Sequence, residues 1–138
     1  MHYLKARLTK SLIEYFEQDY RRIEHALSVL YHAEVIAETK YNVDYDVVVA
    51  SALLHDVGIK PAETLHGFNN GPLQEELGPP EAERILDSLG FPKDKTVMVM
   101  QIIGNHHSRS RYPYKELEIL KQADAIVNRK ETEETRRH

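Results

Sequence analysis

The chain has 138 residues and a formal net charge of −4, is 41% hydrophobic and 29% charged, and contains no cysteine. Its length suits one compact domain, and its acidic balance argues against a general nucleic-acid binder, whose electrostatic footprint is basic. Without cysteine there is no disulfide, thiolate zinc site or cysteine nucleophile, so the eight histidines, together with carboxylates, are the remaining route to a transition-metal site.

No apolar stretch approaches a membrane span, and the N-terminal MHYLKARLTKSL lacks the apolar core of a signal peptide. The expectation is a cytoplasmic protein with no membrane partner, forming a single domain over residues 1–138.

In chain order, Ala6 to Tyr20 reads as a first helix, with Leu8, Leu12, Ile13 and Phe16 on one side. From about Arg21 to Tyr41, Ala26, Val29, Leu30, Ala33, Ile36 and Ala37 follow helical spacing. Asn42, Val43 and Asp44 read as a turn with a helix N-cap. VVVASALL is compatible with a buried strand or a buried helix. Helix over Asp44 to Val57 is preferred because acidic residues precede it, Gly58 suits its end, and no other segment alternates to pair with a strand. Residues 58–80 concentrate glycine and proline and read as the long loop of the domain. Pro79 and Pro80 then open EAERILDSL, stopped by Gly90. KDKTVMVMQIIGNHH predicts a helix ending near Gly104, and a last helix runs from about Tyr114 to Arg129. The tail over residues 130–138, KETEETRRH, reads as too polar to pack and as fraying. The fold class is all-α, a bundle of about six helices.

Three helices place ionisable groups on or beside an apolar face. On the last helix Leu117, Leu120, Asp124 and Val127 are spaced three, four and three apart, so Asp124 points toward the core. A buried carboxylate costs several kcal/mol unless it is paired, hydrogen-bonded or bound to a metal. His25 borders the stripe of the second helix, with His32 two turns further on and out of reach of the same ion. His55 and Asp56 end the VVVASALL helix and can meet over its last turn. Singly, each has an ordinary explanation: a satisfied aspartate, a core histidine with one bond, a histidine complementing a helix dipole. Together they make two imidazoles and two carboxylates, a set suited to one divalent ion of Mn, Fe, Co, Ni, Zn or Mg. An octahedral ion would keep two positions open for water and a substrate oxygen.

In this order, and with the segments HALSVLYHAEVIA, VVVASALLHDVGIK, LGPPEAERILDSLGFP, IIGNHH and LEILKQADAIVN, the chain resembles the HD-domain metal-dependent phosphohydrolase superfamily from about Arg22 to Asn128. The resemblance implies an all-α fold, His25, His55, Asp56 and Asp124 as metal ligands, and hydrolysis of nucleotides or other phosphomonoesters. Members with two metals often carry a histidine four residues before the glycine numbered Gly78; this chain has Gln74 there, so one ion is expected. His106 and His107 match a further histidine position of those members and are read as donating a proton, holding phosphate or holding a weak second ion. A lysine often follows the first glycine directly; here Ile59 intervenes before Lys60.

Arg109 and Arg111 in HHSRSRYPYK, Arg22 one turn before His25, and Lys60 just after the ligands are candidates for an anion-holding rim, since arginine grips phosphate bidentately. For Arg109 and Arg111 a solvated basic loop is the competing explanation. Glu63, Glu75 and Glu76 are candidate bases if the long loop folds over the site. The expected function is hydrolysis of a nucleotide or small phosphomonoester by a metal-activated hydroxide, with His106, His107 and Lys60 as the candidate catalytic groups. The alternative is a metal- and nucleotide-binding regulatory module without turnover. The expected partner is a small phosphorylated substrate, with no nucleic acid. Tyr3, Tyr15 and Tyr20 leave a homodimer surface open against simple packing at home.

Overall fold

The computed structural model describes residues 3–137 and is all-helical, with no strand among them. Seven helices follow in order: α1 Leu4–Phe16, α2 Tyr20–Ala37, α3 Tyr45–Leu54, α4 Ile59–His66, α5 Gly71–Ser88, α6 Lys93–Ile103 and α7 Lys115–Arg137. Among the described residues no helix is long and apolar enough to cross a membrane.

The VVVASALL segment is the centre of the fold. Every residue of α3 from Val47 to Leu54 is buried, because α1, α2, α6 and α7 all pack against it. This surrounds the helix with protein and explains its lack of an amphipathic period. Burial against helices on all sides overrides the strand preference of its valines. Asp44 starts it, its carboxylate accepting from the Val47 amide at 3.2 Å. Leu4, Leu8, Leu12 and Phe16 of α1 and Ile23, Ala26, Val29, Leu30 and Ala33 of α2 complete one side of the core. Val99, Ile102 and Ile103 of α6 and Leu117, Leu120, Ala123 and Val127 of α7 close the other.

Three expectations are corrected. Residues 58–80 are not a long loop: α4 and the first half of α5 occupy them, with only a short turn between. The glycines and prolines mark helix ends instead. Pro61 sits in the first turn of α4, where no intrahelical donor is needed. Gly67 caps α4 at φ 80°, a left-handed conformation that costs glycine nothing, and Asn70 caps α5 by accepting from Leu73 N at 2.9 Å. Pro79 and Pro80 lie inside α5 rather than opening it, and they deprive the carbonyls four residues earlier of their usual donors. The tail is corrected too, since α7 continues to Arg137. Its Glu, Lys and Arg residues are good helix formers, and a hydrogen bond from α2 docks its first turn beyond Arg129.

The turn after α3 is fixed from two sides. Tyr15 of α1 packs at home and donates its hydroxyl to the Val57 carbonyl at 2.7 Å. Gly58 lies against α5 so closely that a Cβ there would fall 2.7 Å from both Gln74 O and Gly78 N. Those neighbours are backbone and cannot swing aside. Gly58→Ala is therefore expected to destabilise the fold by roughly 2 kcal/mol through forced separation of α4 from α5. Urea unfolding of the variant checks this, and an unchanged midpoint would contradict the close approach.

Candidate metal centre

α3 ends by delivering His55 and Asp56 to a point where α2, α7 and the end of α6 meet. His25 comes from the second turn of α2 and Asp124 from the third turn of α7. His25 Nε2 lies 3.1 Å from Asp124 Oδ1, 3.3 Å from His55 Nε2 and 3.5 Å from Asp56 Oδ2. His55 Nε2 lies 3.4 Å from both Asp56 Oδ2 and Asp124 Oδ1. The four residues expected from the sequence are therefore brought together.

The outer nitrogens decide what the cluster can hold. His55 Nδ1 donates to the Ala52 carbonyl at 2.7 Å, and His25 Nδ1 donates to the Glu131 carboxylate at 3.0 Å. In the neutral rings both Nε2 atoms then carry lone pairs, and they face one another and two carboxylates. Such a set is stable only with a cation inside it, either a proton or a metal ion. A divalent ion bonded at about 2.1 Å sets adjacent donors about 3.0 Å apart in an octahedron and about 3.4 Å apart in a tetrahedron. The His–His and His–carboxylate separations of 3.1–3.5 Å lie at or just beyond those values. The donor set and its spacing fit a divalent ion.

The electrostatics agree. Burial opposes a charge on the fully buried His55, but the carboxylates of Asp56 and Asp124 and the Ala52 carbonyl outweigh it and raise its pKa to about 9. His25 is likewise raised, burial being overcome by its bonds to Asp124 and Glu131 and by the field of Asp56. Burial disfavours ionised Asp124, yet its bonds to His25 and His55 hold its carboxyl far below the usual range.

A second group adjoins the first. Asp56, His106 and His107 also hold potential ligand atoms within 4.8 Å of one another. Asp56 shows Oδ2 to the first group and Oδ1 to His106 Nε2, 4.0 Å away. His106 donates Nδ1–H to the Ile103 carbonyl at 2.6 Å, and its Nε2 has no hydrogen-bond partner although buried. Burial and the neighbouring His55 and His107 push its pKa down to about 4. With Nδ1–H committed to Ile103, a neutral His106 presents a lone pair at Nε2. His107 is exposed, and its Nε2 is tied to Gln74 Oε1.

A cleft of about 460 Å³ opens onto the centre, lined by His25, Asp56 and Asp124 together with Asp19, Arg21, Arg22, Ile59, Asn69, Gln74, His107, Asn128 and Glu131. Of the expected rim only Arg22 lines it, together with the candidate catalytic His107. Arg22 is held by Glu63 through two bonds of 3.0 Å and by Asp19 at 3.0 Å. Lys60 is directed elsewhere: its Nζ donates to the Tyr15 carbonyl at 3.0 Å and lies over the Tyr15 ring. The negative end of α1 attracts it there. Arg111 bonds Ser108 and the Gly104 carbonyl on another face, and Arg109 is exposed and absent from the cleft wall. The candidate bases are engaged or outside: Glu63 with Arg22 and Asn69, Glu75 with Ser108 and the His107 amide, and Glu76 exposed. His32 lies beside Tyr31, and His66 is exposed. Sequence reasoning missed Asp19, Arg21, Asn69, Asn128 and Glu131. Asn128 and Glu131 follow Asp124 by four and seven residues, a helical spacing that could have found them.

Because His55 stays protonated until pH is about 9, an entering ion must displace a proton at neutral pH. Apparent metal affinity is therefore expected to rise by at least about tenfold per pH unit between pH 6 and 8. Competition titration against a chelator of known pH dependence checks the slope. An affinity independent of pH would contradict the assigned protonation.

Comparison with curated proteins gave no match, and comparison with solved structures gave none. The family model described as HD domain matches residues 22–129, a stretch that contains His25, His55, Asp56 and Asp124 and most of the helical core. The all-helical fold and the match over most of the chain agree, and the chain belongs to the HD-domain family.

Proposed function

We propose that this protein is a metal-dependent phosphohydrolase acting on a nucleotide or another small phosphomonoester, with one divalent ion held by His25, His55, Asp56 and Asp124. The observation that carries the reading is the inward convergence of two imidazole Nε2 atoms, 3.3 Å apart, with one carboxylate oxygen of Asp56 and one of Asp124 each 3.1–3.5 Å from both, beside an open polar cleft. Family membership supports it, since HD-domain proteins are for the most part metal-dependent phosphohydrolases.

An ion bound there supplies Lewis-acid activation of water and of a phosphoryl oxygen. The remaining work falls to the chain. Arg21 and Arg22 bring positive charge to the cleft wall, where a phosphate dianion gains from it. Arg22 is pre-aimed by Glu63 and Asp19, which fixes its guanidinium but also competes with substrate for it. His107 lines the cleft with its Nε2–H given to Gln74 Oε1, and exchanging that acceptor for a phosphate oxygen would let it bind the substrate. Asn69 and Gln74, bonded to each other at 2.8 Å, offer further amide groups to the substrate's polar body.

Asp124→Ala is expected to lose the stoichiometric ion and to cut turnover of a phosphoester panel by more than about a thousandfold, because it removes a ligand from the reacting centre. Metal analysis and steady-state assays with Mn²⁺, Co²⁺ or Ni²⁺ check both. Full activity in the variant would refute the assignment. Tight nucleotide binding by the wild type without turnover would favour a regulatory module instead. Among the arginines, Arg22→Ala should raise KM several-fold, whereas Arg109→Ala and Arg111→Ala should leave kcat/KM within about twofold. Equal losses from all three would contradict the position of the cleft.

A further inference from the structure

The imidazoles around the centre are oriented in two different ways. His55 and His106 stand at the C-terminal ends of α3 and α6. The last carbonyls of a helix lack intrahelical donors, and each ring gives its Nδ1–H to the carbonyl three residues back, Ala52 and Ile103. Their tautomers are fixed by local geometry. His25 lies inside α2, where the preceding carbonyls are taken by the helix itself. It has no local acceptor.

The acceptor comes from the far end of the chain. His25 Nδ1 lies 3.0 and 3.1 Å from the two carboxylate oxygens of Glu131, 106 residues away. Glu131 follows Asp124 by seven residues, with Asn128 between them, so all three share one face of α7. All three line the cleft. The site-facing stripe therefore runs two turns past Asp124, beyond residue 129 where the family match ends. This is the segment whose composition reads as a solvated tail.

We propose that Glu131 is a positioning residue of the metal centre, holding His25 as the Nδ1–H tautomer with its Nε2 lone pair aimed at the ion, so that the terminal turns of α7 belong to the site. The inference rests on the metal-centre reading above. The physical basis is general: a ligating imidazole needs a partner on its outer N–H, and a carboxylate there both orients the ring and raises its basicity. A charged acceptor does so more strongly than the neutral carbonyls serving His55 and His106.

The test uses the full-length chain carrying Glu131→Ala, Glu131→Gln or, as a control on the same exposed segment, Glu133→Ala. Co²⁺ affinity is titrated and followed by its visible spectrum, and the imidazole tautomers of the metal-free proteins are read by ¹⁵N NMR under alkaline conditions, where the rings are neutral. Glu131→Ala is expected to weaken Co²⁺ binding about 10- to 100-fold. It should also abolish the fixed Nδ1–H form of His25 while leaving His55 and His106 unchanged. Glu131→Gln keeps an acceptor and should recover part of the affinity, and Glu133→Ala should match the wild type. Wild-type Co²⁺ uptake equalled within twofold by Glu131→Ala would overturn the assignment of Glu131 alone. A wild-type protein that takes up no Co²⁺ would overturn the metal reading and this inference with it.

Discussion

Two imidazoles face each other across 3.3 Å with their protons committed outward, and two carboxylates close the same space. Like dipoles and like charges do not gather in a protein interior without something between them. A cation is therefore the constraint around which this end of the molecule is built. A proton on His55 satisfies it in the metal-free chain, and a divalent ion satisfies it with more bonds.

The fold serves that convergence in layers. The chain is buried from Val47 to His55 and reaches the cleft at Asp56, so the end of α3 delivers two polar groups to the edge of the core. α2 and α7 lie against it and against each other, and each contributes one ligand from within a helix rather than from a loop. Sites carried on regular elements hold their geometry more closely than loop sites. The turn after α3 is pinned by Tyr15 on one side and by the Gly58 contact with α5 on the other. α5 in turn supplies Gln74, which holds His107 at the cleft.

Much of this was legible in the residues. Periodicity gave α1, α2 and the apolar face of α7, and Asp124 on that face announced a partner in the core. The clash between the apolar run and the His55-Asp56 pair located the site. What failed did so for identifiable reasons. Gly58, Pro61, Gly67, Gly71 and Pro72 read as one loop because helix-end residues resemble loop residues where one helix stops and the next starts within a few residues. The tail KETEETRRH reads as fraying because composition reports solvation, whereas the long-range bond from His25 to Glu131 docks the helix there. Lys60 and Arg111 could not be placed from spacing, since each turns to a nearby backbone carbonyl, of Tyr15 and Gly104, rather than toward the cleft.

The account stands or falls on where an ion binds. The direct measurement is anomalous diffraction from crystals of the protein grown with Mn²⁺. The predicted result is one strong peak about 2.0–2.3 Å from His25 Nε2, His55 Nε2 and carboxylate oxygens of Asp56 and Asp124. No peak among these four side chains, or a single peak held by His106 and His107 with His25 and Asp124 unligated, would contradict it.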